Sequence, residues 1–242
     1  MMLDPIYWVL VGFAFLLSMG ASAMVKLRFN RGRAVTLASG MTGAEVAAAL
    51  VKDAGLQGVS IVEHQGFLSD HYNPMTRTLA LSPHVYHGTD ASAAGVAAHE
   101  AGHALQHAQR YLPMWFRSIL VPMANIGSML GPMVIIGAIM LGAADAASQG
   151  GLGHTLAIVG VALFGTATLF SLVTVPVEFD ASRRAKERLI ALRIVRPGIE
   201  ADTVRGVLTA AGLTYVAAAI SSVLMLLYWA WRAGLIGGQR RD

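Results

Sequence analysis

Four long apolar segments constrain this sequence more than any other feature. They span residues 6–25, 119–141, 156–177 and 207–231. The hydrocarbon core of a bilayer is about 30 Å thick, and a helix crosses it with roughly 20 residues. The first segment is uncharged and is followed at once by Lys26, whereas a cleaved signal peptide has its basic residues before a shorter apolar run. The segments therefore predict a mainly α-helical, polytopic membrane protein with four transmembrane helices, the first of them a retained anchor.

The composition supports a lipid environment. Hydrophobic residues make up 55% of the 242 residues and charged residues only 13%, whereas a soluble domain has about 25% charged residues. The net charge of +4 is too small for a nucleic-acid-binding surface, and the low polarity excludes a disordered or coiled-coil chain. The expected partner is the lipid bilayer. Because the chain has no cysteine, a metal site would have to use His, Asp or Glu.

Basic residues are distributed unevenly among the connections between these segments. Between the first and second apolar segments lie eight Lys and Arg residues, from Lys26 to Arg117, and between the third and fourth lie seven, whereas residues 142–153 and the N-terminal flank carry none. By the positive-inside rule, both basic connections lie on the cytoplasmic side of a bacterial-type cell membrane, with both termini outside. Three arginines near the C-terminus, Arg232, Arg240 and Arg241, argue against this orientation. Whatever the orientation, the first and third connections face the same side.

The first connection, residues 26–116, is long enough to form a polar domain. Thr42 and Glu45 have the spacing of a capping box and predict a helix start, and Gly55 predicts its end. The remaining features expected here are a strand at 59–63, a turn at Asn73-Pro74, a strand at 78–82, and a helix at about 91–110 capped by Asp90 or Thr89. The predicted division of the chain is thus 1–25, 26–116, 117–177, a loop at 178–206, and 207–242.

The last helix of this domain carries an HExxH motif. His99 and His103 are four residues apart, so both imidazoles leave the same face of the helix and can bind one Zn²⁺. Glu100 is offset by one position, where it can take a proton from a zinc-activated water as general base. The alternative is three incidental residues on a solvated helix. The small residues Ala98, Ala101, Gly102 and Ala104 favour the metal, because they leave room for it and for a close-packed neighbouring helix.

A catalytic zinc site needs a third protein ligand. The metzincin pattern fails, because Gln106 and Gln109 stand where it requires Gly and His. His107 lies about 80° around the helix from His99, an unfavourable direction. Glu178 is the better candidate, since it ends the third apolar segment and faces the same side of the membrane as His99. Alternatively, the acidic pair formed by Glu178 and Asp180 is an ordinary helix end.

Four motifs together resemble the YugP family of membrane-embedded neutral zinc metallopeptidases. They are DHYNP at 70–74, LSPHVYH at 81–87, GVAAHEAGHALQ at 95–106 and PVEFDASRRA at 176–185. The resemblance covers nearly the whole chain and extends distantly to HtpX-type gluzincins. It implies a small zincin-like α/β metallopeptidase domain, zinc ligation by His99, His103 and Glu178, and Glu100 as general base.

The resemblance leaves one supporting residue open. HtpX-like enzymes commonly have an Asp four residues after the ligand Glu, where it supports a ligand His. Here that position is Ser182, and Asp180 comes two residues after Glu178. Either residue could supply the hydrogen bond that orients the imidazole.

Two further features bear on a peptidase reaction. The strand at 78–82 could be an edge strand that pairs with an extended substrate, or a plain core strand. A second electrophile is expected near the zinc to stabilise the oxyanion, and the candidates are His71, Tyr72, His84, Tyr86 and His87. Arg183 and Arg184 are expected to lie at lipid headgroups rather than to bind substrate.

The sequence therefore predicts a membrane-bound zinc metalloendopeptidase that hydrolyses membrane or juxtamembrane proteins. The alternative is a non-enzymatic membrane scaffold or assembly factor whose zinc is structural and closed by a fourth ligand, such as His107, Asp180 or His71. A metal transporter is disfavoured, because ionisable residues are nearly absent from the apolar segments. Helix faces rich in Gly and Ala permit association with a second copy or a partner protein without specifying it.

Overall fold

The computed structural model describes residues 4–66, 69–143 and 151–237. Arg240 and Arg241, which bear on the predicted orientation, lie outside these ranges. Within them the chain is mainly helical, with one small sheet. In chain order the elements are α1 (Pro5–Arg33), α2 (Gly43–Asp53), β1 (Ser60–Glu63), β2 (His71–Asn73), β3 (Thr78–Leu81), α3 (Pro83–His87), α4 (Ala91–Ala108), α5 (Leu112–Met140), α6 (Leu152–Ala191) and α7 (Ile199–Arg232).

Four of these helices, α1, α5, α6 and α7, are long and apolar enough to cross a membrane. The prediction of four spans is confirmed. Each helix is longer than the apolar run inside it; α6, for example, has 40 residues. Helices α1 and α6 continue after their apolar runs, whereas α5 and α7 begin before theirs. The flanking residues include few helix breakers, so the end of an apolar run is not the end of a helix.

The connection at residues 178–206 is where the sequence prediction of a loop is wrong. Helix α6 continues through Glu178 to Ala191, and α7 begins at Ile199. Residues 178–191 are rich in Ala, Arg, Glu and Leu, which favour helix. The end of the hydrophobic stretch is therefore not the end of helix α6. Glu178 therefore lies on a continuous helix and not on a loop.

The chain forms two compact units. The first comprises the described residues within Met1–Ser18, Phe116–Val175 and Tyr215–Asp242. In it, α5 approaches α6 closely at Gly127, where an added Cβ atom would lie 2.0 Å from the carbonyl oxygen of Leu163. Such close approach at small residues is typical of helix packing in membranes. At one end of this unit, Tyr228 donates a hydrogen bond of 2.9 Å to the carboxylate of Asp4.

The second unit comprises Met19–Trp115 and Pro176–Thr214. It contains a three-stranded sheet of order β1-β3-β2, in which β3 is parallel to β1 and antiparallel to β2. The hypothesis of an edge strand at residues 78–82 is therefore wrong: β3 is the central strand. Both of its edges are already paired, so its backbone cannot accept an extended substrate. The central position of β3 agrees with the burial of its side chains, since Leu79 and Leu81 are fully enclosed.

The local signals of the polar domain are confirmed in most details. Thr42 and Glu45 form the complete capping box at the start of α2. Asp90, not Thr89, caps α4, with its carboxylate accepting from the backbone amides of Ser92 and Ala93. Helix α4 ends at Ala108, two residues before the predicted end. Strand β2 and the short helix α3 were missed, because three to five residues carry too little periodicity to identify an element.

Helix α4 lies at the centre of the second unit. Its small side chains pack against α2, α6 and α7, and Ala91, Ala97, Ala98 and Ala101 are completely buried. A helix surrounded by neighbours needs small residues at the contacts so that the backbones can approach. This placement puts the HExxH motif inside the protein, beside residues of α6.

Candidate metal centre

The site is formed where α4 meets α6. At this crossing, an added Cβ atom on Gly102 would lie 2.6 Å from the carbonyl oxygen of Ala181. No side chain larger than hydrogen fits at that distance, so glycine is required for the two backbones to come this close. The predicted role of Gly102, room for a close-packed neighbouring helix, is confirmed. The contact sets α4 and α6 at the separation at which their polar side chains meet.

Three of those side chains form a group that could hold a metal ion. The donor atoms of His99, His103 and Glu178 all lie within 4.8 Å of one another. The Oε2 atom of Glu178 is 3.1 Å from His99 Nε2 and 3.6 Å from His103 Nε2. Ligands at zinc distances of 2.0–2.2 Å in a tetrahedral arrangement are separated by about 3.3–3.6 Å. The two distances to Glu178 Oε2 are therefore close to those between ligands of a single small ion.

The same group is nearly closed to solvent. The side chains of Glu178, His103 and His99 are 3%, 8% and 13% exposed. Burial by itself would lower the pKa of His103, but the hydrogen bond to Glu178 and the charges of Glu100 and Glu178 outweigh burial and raise it. A buried carboxylate facing two imidazoles is costly without a cation, and a divalent ion supplies the missing positive charge.

Each candidate histidine ligand has a hydrogen-bond partner for its other ring nitrogen. His99 Nδ1 lies 3.1 Å from Ser182 Oγ, and His103 Nδ1 lies 3.0 Å from Gln106 Oε1. Asp180 contacts neither histidine; it accepts a hydrogen bond of 2.9 Å from Gln106 Nε2. Of the two supporting candidates, Ser182 thus contacts His99 directly, whereas Asp180 contacts Gln106, which in turn contacts His103.

Asp180 is also bound by both neighbouring arginines. Arg184 Nε and Arg183 Nη2 each donate to its carboxylate at 2.5 Å. Arg183 additionally pairs with Glu187, and Arg184 donates to Gln109. Both guanidinium groups therefore have protein partners. The sequence analysis expected contacts with lipid headgroups and did not predict these partners. These contacts hold Asp180 in place and offset its charge.

Glu100 differs from the other acids of the site. It is 8% exposed, yet no hydrogen bond or ion pair to its carboxylate comes from residues 4–66, 69–143 or 151–237. It follows His99 on α4, and its charge is felt at His103. A carboxylate that is enclosed, near the candidate metal ligands and without a fixed partner is able to accept a proton from a reacting molecule.

The other candidates lie outside the metal-ligand group. His71 Nδ1 donates to the Ser69 carbonyl at 2.8 Å, and Tyr72 Oη lies 2.9 Å from Nδ1 of His107. Burial raises the pKa of Tyr72, which keeps its hydroxyl protonated.

The three remaining oxyanion candidates are engaged elsewhere. His84 Nε2 lies 3.2 Å from Asp90, His87 Nε2 lies 3.2 Å from Glu63, and the Tyr86 ring packs against the His87 ring. Tyr72 contacts His107, which lies on the HExxH helix. The structure brings none of them into the group of His99, His103 and Glu178.

The sequence analysis missed Gln106 as a site residue and considered it only as a mismatch to the metzincin pattern. Gln106 is fully buried and contacts His103 directly. Its position three residues after His103 was the available signal, because residues three apart share a helix face.

Comparisons with known proteins agree with this geometry. Residues 7–234 match the family model described as "Putative neutral zinc metallopeptidase". The chain is 40% identical over 211 residues to the "Putative membrane protease YugP" of Bacillus subtilis (strain 168), a match that covers 87% of this chain and 89% of that protein. No solved structure matches. The chain therefore belongs to the YugP family.

Proposed function

We propose that this chain is a membrane-embedded endopeptidase that uses one zinc ion held by His99, His103 and Glu178. The observation that carries the proposal is the spacing of three buried donor atoms, 3.1 and 3.6 Å around Glu178 Oε2, at the separation of ligands on one tetrahedral zinc. Two neutral imidazoles and one carboxylate form the donor set of catalytic zinc sites such as that of thermolysin. The family and the relative's printed name support the same reaction class.

The number of ligands favours a catalytic over a structural ion. Within the described ranges, the metal-competent group contains three residues and no fourth His, Asp or Glu. His107 is hydrogen-bonded to Tyr72, and Asp180 to Gln106 and two arginines, so neither is directed to the group. Structural zinc sites are closed by four protein ligands, whereas catalytic sites keep one position open.

The proposed mechanism assigns a task to each surrounding residue. A zinc ion at this position supplies Lewis-acid activation of a water molecule and of the substrate carbonyl. Glu100 accepts the proton of the attacking water and transfers it to the leaving amide nitrogen. Ser182 keeps His99 oriented with Nε2 toward Glu178. Tyr72 lies outside the metal-ligand group but contacts His107, one helical turn beyond His103 on α4, and is the candidate for stabilising the oxyanion.

The proposed substrates are membrane proteins or their juxtamembrane segments. This chain has four helices able to cross a membrane, and its metal ligand Glu178 follows directly on the predicted span 156–177. The basic residues of the first and third connections support, by the positive-inside rule, a catalytic domain that faces the cytoplasm.

A single substitution tests this function. Glu100→Gln keeps the size of the side chain but removes its ability to accept a proton. We expect it to retain zinc and to lose peptide cleavage by at least about 100-fold, measured on a quenched fluorescent peptide library with full-length protein in detergent. Glu63→Gln is the matched control, since Glu63 is exposed and lies outside the site, and its cleavage should equal that of the wild type.

Two results would contradict the proposal. Cleavage by Glu100→Gln at the wild-type rate would exclude Glu100 as general base. A zinc-loaded wild type that cleaves neither the peptide library nor reconstituted membrane proteins would favour the alternative of a scaffold with a structural zinc ion.

A further inference from the structure

Gln106 is a buried amide whose polar atoms are all engaged. It is completely enclosed, and its Nε2 group donates to the Val177 carbonyl at 2.8 Å and to Asp180 Oδ2 at 2.9 Å. Its Oε1 atom lies 3.0 Å from His103 Nδ1. A buried polar side chain is stable only when its donors and acceptors have hydrogen-bond partners, and here the amide nitrogen and the amide oxygen both have them.

These contacts allow only one orientation of the amide. The Val177 carbonyl and the Asp180 carboxylate are both acceptors, so they must face the NH₂ group of Gln106. The carbonyl oxygen of Gln106 then faces His103, and Nδ1 of His103 must donate to it. With the proton on Nδ1, the Nε2 atom presents its lone pair toward Glu178, which is the state required for binding a metal.

The orientation of Gln106 depends in turn on Asp180. The carboxylate of Asp180 is 12% exposed and is held by Arg183 and Arg184 from the same helix. Because these arginines fix its position, it gives the Gln106 amide group a stationary acceptor. The contacts thus form a chain from arginine to carboxylate to amide to imidazole.

We propose that Gln106 is the positioning residue of His103 and that Asp180 acts on His103 only through Gln106. The amide takes the place of the carboxylate that orients many metal-binding histidines. The inference rests on metal binding by His99, His103 and Glu178, as stated in the proposed function, but not on peptidase activity.

The test measures zinc affinity, not cleavage. Gln106→Met keeps the length of the side chain and removes every hydrogen bond. Loss of such a partner weakens metal binding by about 10–100-fold, and we expect a loss of this size in full-length, zinc-stripped protein titrated against a chromophoric zinc chelator. Gln57→Met, the same change at an exposed position, should bind zinc as the wild type does.

A second variant separates positioning from general structural damage. Asp180→Asn should weaken zinc binding by at least threefold in the wild-type background. In the Gln106→Met background it should change zinc affinity by less than twofold, because the route from Asp180 to His103 is already broken. Thermal unfolding of the zinc-free proteins checks folding. If Gln106→Met does not fold, zinc affinity of Asp180→Asn within twofold of the wild type would by itself overturn the inference.

Either of two outcomes overturns the inference. One is zinc affinity of folded Gln106→Met within twofold of the wild type. The other is an effect of Asp180→Asn that is the same in both backgrounds, since Asp180 would then act independently of Gln106. The proposed function fails on a different result, cleavage by Glu100→Gln, so the two failures are distinguishable.

Discussion

Replacing Gly102 by alanine tests the close approach of α4 and α6 on which the metal centre depends. The new Cβ atom would lie 2.6 Å from the Ala181 carbonyl oxygen and 3.2 Å from its carbonyl carbon. Both atoms belong to the backbone of α6, so they cannot rotate away as a side chain would. An ordinary contact begins at 3.4 Å, and α6 must therefore move by about 0.8 Å relative to α4.

A shift of this size is large compared with the tolerance of a metal site. Bond lengths at a zinc site hold within about 0.2 Å, and Glu178 moves with α6 while His99 and His103 stay on α4. We expect zinc affinity to fall by at least about tenfold. Overpacking costs about 1–3 kcal/mol, and removing a helical glycine returns about 0.5–1 kcal/mol, so zinc-free Gly102→Ala should lose roughly 0–2.5 kcal/mol of unfolding free energy.

Gly95 on the same helix provides the matched control. A Cβ atom there would lie nearest to a side-chain methyl group of Val204, at 3.4 Å, and 4.0 Å from the Val204 Cα atom, which are ordinary contacts. Gly95→Ala should therefore leave zinc affinity unchanged and raise stability by about 0.5–1 kcal/mol. Zinc affinity is read by chelator competition, and stability by thermal unfolding of the zinc-free protein in detergent. Equal zinc affinities of Gly102→Ala and Gly95→Ala would refute the argument.

Four further outcomes are expected. Zinc at about 100 times its dissociation constant should stabilise the wild type by about 2.7 kcal/mol and leave the midpoint of Glu178→Ala unmoved; an equal shift in both would exclude Glu178 as a ligand. Ser182→Ala should weaken zinc binding by about 10-fold or more, since His99 loses its partner; unchanged affinity would exclude that role. Thr42→Ala should cost about 1 kcal/mol of unfolding free energy through the lost cap. Hydrogen bonds from the Thr42 backbone and side chain lower the pKa of Glu45. The charged Glu45 carboxylate therefore contributes to stability at pH values above its ordinary pKa of 4.5, and this contribution is lost as the pH falls through the lowered pKa of the folded state. The difference in unfolding free energy between the wild type and Glu45→Gln should therefore shrink in that acidic range.

Features with local signals were predictable from the sequence. The apolar runs predicted the four long helices, the Thr42 and Glu45 spacing predicted the cap of α2, and the HExxH spacing placed two histidines on one face of α4. Each of these depends on residues within one or two helical turns, where periodicity and capping determine the structure.

Features that depend on pairing between distant segments were not predictable in the same way. The central position of β3 follows from strands 60–63 and 71–73 pairing on its two sides, and no local pattern in residues 78–81 encodes that order. The separate partners of His99 and His103 likewise depend on how α4 and α6 are rotated against each other. The resemblance directed attention to the position of Ser182 and gave Gln106 no role, although both contact a histidine.

The choice of an amide at position 106 has an electrostatic reason. Glu100 and Glu178 already place two carboxylates near His103, and both act on its pKa. A third carboxylate in direct contact with His103 would be buried without a cation of its own, at a cost of several kcal/mol. Gln106 instead offers a neutral acceptor to His103, and the charge of Asp180 lies one hydrogen-bonded group farther away, where Arg183 and Arg184 offset it. In the proposed arrangement, Asp180 orients His103 through Gln106 while Arg183 and Arg184 offset its charge, and Glu100 and Glu178 are the carboxylates whose charges act on His103.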